Sequence, residues 1–301
     1  MSGARGHLPT ERANPASAGL DALATEAAFD VFQAEDERMV AAVGAARAAV
    51  CRAIDLAAER LARGGRLFYV GAGTSGRLGV LDAAECPPTF MSAPEQVQGV
   101  LAGGAPALTR PVEGAEDDRE AARRDLDARG VAADDVVFGL TAGGTTPYVH
   151  AALARARERG AATVFLACVP FELAPDAADV SIRLATGPEV LAGSTRLKAG
   201  SATKLVLNRV TTLAMARLGK VHGNLMVDVD ASANAKLVER ATSIVMELTG
   251  LAPGAARALL DAAGLRAKTA VAMHARGVDR AEAERLLAAA GGVLARVLKG
   301  T

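Results

Sequence analysis

Tryptophan is missing from this 301-residue chain and aromatic residues make up only 3% of it, so its core must be assembled from small and branched aliphatic side chains. Net charge is missing too. The 34 Lys and Arg residues balance 34 Asp and Glu, which leaves no field to hold a nucleic-acid backbone or an anionic membrane surface and makes a small molecule the expected partner. The three cysteines, Cys51, Cys86 and Cys168, are far apart and lack CxxC spacing. That spacing points away from a disulfide framework or a zinc site and suggests three buried small hydrophobes. The four histidines, His7, His150, His222 and His274, lack the close helical spacing of an HExxH site and are expected to be structural or solvated. No stretch reaches the roughly 20 apolar residues of a membrane span. The polar opening from Met1 to Asn14 lacks the apolar segment of a signal peptide, so the expected compartment is the cytoplasm.

What is present is an alternation of elements. Ala-rich helical sequence runs from Leu20 to about Arg63, and Gly64-Gly65 stops it. Arg66 to Val70 reads as a short buried strand that runs into Gly71-Ala72-Gly73-Thr74-Ser75-Gly76, with a helix expected from Arg77 to Glu85. Further strands are expected at Val97 to Leu101, Asp135 to Leu140, Thr163 to Val169 and Val180 to Ala185. Helices are expected at Ala115 to Ala128, Tyr148 to Arg159 and Gly200 to Leu218. Strands alternating with helices imply an α/β fold, a doubly wound parallel sheet covered on both faces. From about Lys236 the strand signal disappears and Gly and Pro punctuate short helical runs, as in a small helical bundle. The expected division is an N-terminal helical lead-in over 1–55, a catalytic domain over 56–235 and a C-terminal helical bundle over 236–301.

Ligands of an open parallel sheet bind beyond the carboxyl ends of its strands, and three loops rich in Gly, Ser and Thr converge there. They are Gly71 to Gly76, Thr141 to Thr146, and Gly193-Ser194-Thr195-Arg196-Leu197-Lys198-Ala199-Gly200-Ser201, and each opens a helix. Glycine lets backbone N–H groups approach an anion, Ser and Thr add hydroxyls, and a helix N-terminus adds positive potential, so a phosphate would fit. Any one such loop could exist only for tight packing; three together favour a ligand. The candidate substrate and phosphate residues are Gly73, Thr74, Ser75, Thr141, Gly144, Thr145, Thr146, Ser194, Thr195 and Lys198. No Walker Gly-Lys-Ser/Thr is present, and the hydroxyl content suits a monophosphate ester better than a dinucleotide.

Two carboxylates stand out, Glu85 before Cys86-Pro87-Pro88 and Glu116 in Val112-Glu113-Gly114-Ala115-Glu116-Asp117-Asp118. Glu85 is expected to close its helix, where the dipole favours the protonated form of a general acid; the plain alternative is a surface acid at a helix end. Glu116 is expected to begin a helix, where the plain reading is compensation of the dipole.

Gly71 to Gly79, Glu85 to Thr89 and Val112 to Asp117 resemble the signature of the N-acetylmuramic acid 6-phosphate etherases. So do Arg196 to Gly200, Lys204 to Asn208, Gly223 to Val229, and Thr10-Glu11 with Asn14-Pro15, so the likeness spans essentially the whole chain. The resemblance implies a sugar isomerase fold, a homodimer with its active site near the subunit interface, and no metal, nucleotide or other cofactor. It implies cleavage of the ether that joins the C3 oxygen to the lactyl group of N-acetylmuramic acid 6-phosphate, in recycling of cell-wall sugar. Carried over by position, Glu85 matches the acid that helps lactate leave and later activates water, and Glu116 the base at C2. Two departures stand out: Gly143 occupies the place where the family usually carries Ser, and the segment Asp230 to Lys236 is longer by one residue, which shifts Asn234 and Lys236. The rival readings are a sugar-phosphate-binding regulator of the glucokinase-regulator type and an aldose-ketose isomerase. A sensor has no use for a placed acid and base, so the presence of both Glu85 and Glu116 favours the enzyme.

Overall fold

The computed structural model describes residues 5–232 and 234–299. The first four residues of the expected lead-in, Ala233 in the lengthened segment and the last two residues of the expected bundle lie outside the described residues. The described chain forms two compact units, one of residues 5–83 and 95–210 and the other of residues 84–94, 211–232 and 234–299.

In the first unit, short 3-10 turns lead into α1 (Thr25–Ala45) and α2 (Arg47–Ala62). Helix α2 buries Val50, Ala53, Ile54, Ala57, Ala58 and Leu61, the three-and-four spacing of one helical face. Five strands follow, β1 (Leu67–Gly71), β2 (Val97–Leu101), β3 (Val136–Leu140), β4 (Ala162–Ala167) and β5 (Val180–Arg183), all parallel and ordered β2-β1-β3-β4-β5. Between them run α3 (Gly73–Phe90), α4 (Arg119–Ala128) and α5 (Pro147–Glu158), and α6 (Lys198–Arg217) follows the sheet.

Every residue of β1, β3 and β4 is buried, as a parallel sheet covered on both faces requires. Side chains alternate between those faces. Phe68 and Val70 pack with Val149 and Leu153 of α5 in one core cluster. Tyr69 points the other way, meeting Phe138 edge-on at 5.6 Å, and a Cβ on Gly79 of α3 would lie 2.7 Å from the Tyr69 Cβ. Arg66 and the buried Asp135 lock the start of the sheet, with Arg66 N donating to Oδ1 at 2.8 Å and a guanidinium nitrogen to Oδ2 at 2.7 Å.

The second unit carries α7 (Ala235–Thr249), α8 (Pro253–Ala262), α9 (Ala267–Arg276), α10 (Arg280–Ala289) and α11 (Leu294–Lys299) around their own apolar cluster. Asn234 caps α7 by accepting from Leu237 N at 3.0 Å. Among the described residues no helix is long and apolar enough to cross a membrane.

Two local expectations are corrected. Helix α3 does not stop at Glu85 but continues through Pro87 and Pro88 to Phe90. Proline's fixed φ is compatible with helical backbone, so the helix passes the pair even though neither residue can donate to the carbonyl four residues back, and Glu85 is a helical residue rather than the terminus. Cys51, expected to be buried, is exposed on α2, whereas Cys86 and Cys168 are buried.

Candidate active site

Strand order places the chain's change of direction between β1 and β3: β2 lies on one side of β1, and β3 on the other. Their carboxyl ends are level, Gly71 pairing with Leu140, so the loops that leave them open on either side of one crevice. A cavity of about 160 Å³ lies there. Its lining includes Ala72, Gly73, Thr74 and Ser75 from the first loop, Thr141 to Gly143, Thr145 and Thr146 from the second, and Thr195 from the third.

The glycines of the first loop divide their work. Gly76 serves packing, since a Cβ there would sit 2.4 Å from Gly71 O, while Gly73, Thr74 and Ser75 face the cavity at the start of α3. The second loop is held from within and from behind. Thr141 Oγ1 and Thr146 Oγ1 share a hydrogen bond of 2.8 Å, and Gly144 N donates to Thr141 Oγ1 at 3.2 Å. From α5, His150 Nε2 donates to Gly144 O at 2.7 Å; a carbonyl can only accept, so this nitrogen carries the proton. Gly144 itself does not line the cavity. It turns the loop with φ at +78°, and a Cβ there would meet the Ala174 Cβ at 2.5 Å.

Glu116 also lines the cavity. It sits in a single 3-10 turn, Ala115–Asp117, entered through the left-handed Gly114. The helix-capping role belongs to Asp118, whose Oδ1 accepts from Ala121 N at 2.8 Å and starts α4. Arg77 of α3 ties down the approach to this turn, donating to Ala107 O at 2.8 Å and to Leu108 O at 3.2 Å. Glu85 is exposed and is not among the residues that line this cavity.

The third loop differs from its expected use. Thr195 lines the cavity, but Ser194 and Lys198 do not. Lys198 is only 2% exposed, and its ammonium donates to the buried carboxylate of Glu35 on α1. The Lys198 hydrogen bond and charge hold Glu35 below the ordinary carboxylate range even though burial pushes it up. The N-terminus of α6 is occupied as well, because Glu189 accepts from Lys198 N at 2.9 Å and from Ala199 N at 3.0 Å. Burial pushes Glu189 above its ordinary value despite those two N–H groups. A phosphate at this end of the sheet therefore has two helix starts to use, those of α3 and α5, rather than three.

Two lining residues, Leu8 and Glu11, went unnoticed by sequence reasoning as parts of the site. Gly193 N donates to Thr10 O at 3.2 Å, which brings the opening segment alongside the third loop. A Cβ on Gly143 would lie 3.2 Å from Leu8 Cδ1, so the glycine in place of the customary Ser is matched by an aliphatic side chain pressed against it. The Thr10-Glu11 match to the etherase signature was the one signal that could have found this wall.

Comparison with known proteins gives the family. Residues 49–157 match the family model described as the glucokinase regulatory protein N-terminal SIS domain. The N-acetylmuramic acid 6-phosphate etherase of Gloeobacter violaceus is 60% identical over 290 residues, covering 96% of this chain and 94% of that one. The etherases of Nostoc punctiforme and a Picosynechococcus species are 56% and 53% identical, covering 94% and 98% of this chain and 92% and 98% of theirs. With identity at this level along nearly the full length of both partners, the chain belongs to the N-acetylmuramic acid 6-phosphate etherase family.

Proposed function

We propose that this chain is an etherase that cleaves N-acetylmuramic acid 6-phosphate to N-acetylglucosamine 6-phosphate and D-lactate. The observation that carries the reading is the meeting, in one cavity at the sheet's switch point, of a carboxylate, Glu116, with the hydroxyls and helix starts suited to a phosphate monoester. The phosphate rests on Gly73, Thr74 and Ser75 at the head of α3 and on Thr141, Thr145 and Thr146 before α5.

The open-chain aldehyde acidifies the neighbouring C2–H. Glu116 takes that proton as the C3–O bond breaks, and Glu85 delivers a proton to the departing lactyl oxygen. Lactate and a C2–C3 unsaturated aldehyde result. Water then adds its oxygen to C3, with Glu85 as base, and a proton returns to C2. The sum is substrate plus water giving the two products.

Glu85 is exposed on α3, and the proposed assembly is a homodimer whose active site is completed near the subunit interface. Large apolar side chains open to solvent on the first unit, Phe29 at 66% and Leu81 at 50%, support such an association. Three cysteines without a disulfide suit the reducing cytoplasm, the compartment proposed here.

The test is D-lactate release from N-acetylmuramic acid 6-phosphate, with EDTA present, in water enriched in oxygen-18. Lactate release with the label at sugar C3 establishes the etherase and its elimination-addition course. The match to the N-terminal SIS domain of a glucokinase regulatory protein gives the second reading a footing, and tight substrate binding without lactate would favour it. Isomerised N-acetylglucosamine 6-phosphate would point to an isomerase instead.

A further inference from the structure

The helical unit has a cavity of its own, about 290 Å³, into which the first turn of α9 projects Arg266, Lys268 and Thr269. Lys268 is 7% exposed, and two of its three N–H donors are engaged, at 2.6 Å by Asp228 Oδ2 and at 2.9 Å by Gly292 O. Thr269 is 4% exposed, and its hydroxyl has no hydrogen-bond partner among the described residues. The Thr269 hydroxyl is reached from the cavity rather than sealed in the packing, so it and the remaining Lys268 donor are available to an occupant.

The charges around the cavity favour an anion. Asp228 is held by both Lys268 and Lys220, at 2.6 and 3.4 Å, which leaves one positive charge over. Glu284 is paired with Arg280 at 2.9 Å, while Arg266, at the open mouth, has no carboxylate partner among the described residues. Arg266 is also the N-cap of α9 and makes no side-chain cap; Lys268 N donates to Val227 O at 3.1 Å, and the other N–H groups of the first turn add their partial positive charge on the same side. Burial pushes the Lys268 ammonium below its ordinary value even beside Asp228, and a bound anion would relieve that.

We propose that this cavity binds a small phosphate-bearing anion, held by Lys268, Thr269, Arg266 and the head of α9, at a site distinct from the sheet-end cavity. Met91, left-handed at φ +48°, forms part of the wall, so the occupant touches the residue that follows the last turn of the helix carrying Glu85. The phosphate group could be free or borne by a small metabolite, since a cavity near 300 Å³ lies at the lower end of ligand sites.

The test is equilibrium dialysis of the full chain against radiolabelled inorganic phosphate and, in a parallel arm, glycerol 3-phosphate. Three proteins are compared: wild type, Thr269→Val/Arg266→Gln, and Ser75→Ala/Thr146→Val, which disables the sheet-end cavity. The third should retain one class of bound anion, and Thr269→Val/Arg266→Gln should weaken that class by about tenfold or more. The arm with tighter binding identifies the source. If the double variant's thermal midpoint without phosphate falls, Arg266→Gln alone, at the exposed mouth, provides the comparison. Binding that vanishes with Ser75→Ala/Thr146→Val, or that survives undiminished without the Thr269 hydroxyl and Arg266, overturns the proposal.

Discussion

The carboxylate of Glu189 accepts the backbone N–H of Lys198 at 2.9 Å, so the protein itself neutralises the positive end of α6 and turns that terminus into an anchor for the third loop. Glu189→Ala leaves two buried N–H groups without an acceptor. The expected cost is about 1 to 3 kcal/mol for each group left unpaired, read from urea denaturation.

The Glu35 and Lys198 pair sets a second expectation. Both are 2% exposed, so Glu35→Ala strands a buried ammonium and should destabilise the fold by about 3 to 5 kcal/mol, while Glu35→Met/Lys198→Met should regain most of that loss. An unchanged urea midpoint in Glu35→Ala would contradict the pairing.

The same pair fixes a direction with pH. Lys198 holds Glu35 below its ordinary value of 4.5 in the folded state, so the stability it contributes is present above pH 4.5 and is lost as the pH falls through the lower, folded value. Unfolding midpoints followed from about pH 7 to about pH 3 should therefore fall in acid, and should fall less steeply in Glu35→Met/Lys198→Met.

His150 acts on the cavity through the Gly144 carbonyl. Removing it in His150→Ala should loosen the second loop and raise KM about 5- to 10-fold, with kcat within about twofold, in the D-lactate assay. An equal fall in kcat would instead mark a role in the chemical step.

Thiol chemistry checks the packing independently. Burial pushes Cys168 up to about 12, so it should resist alkylation at neutral pH along with buried Cys86, while exposed Cys51 is modified first. Peptide mapping after brief iodoacetamide treatment reads this directly.

Sequence reasoning found what local chemistry determines. The strand over Val97 to Leu101 and the glycine turn after β1 could be read because a buried parallel strand is a short apolar run closed by a turn signal. The proline pair misled, because proline's fixed φ still fits a helical backbone, and the loss of two N–H donors did not end α3, which runs on to Phe90. Lys198 looked like a phosphate ligand because its partner Glu35 lies 163 residues away, and no spacing rule reports a contact of that range. Leu8 and Glu11 were hidden for the same reason, since their neighbours are the second and third loops.

The wall formed by the opening segment has a consequence for how the site comes into being. Thr10 O receives its hydrogen bond from Gly193 N, and Asn14 Nδ2 donates to Pro188 O, 174 residues further on. At about 5 to 20 residues per second, roughly ten to forty seconds of synthesis separate the two sides. The opening segment thus waits for the third loop before it finds its place, and a nascent chain can have a formed sheet before it has a closed pocket.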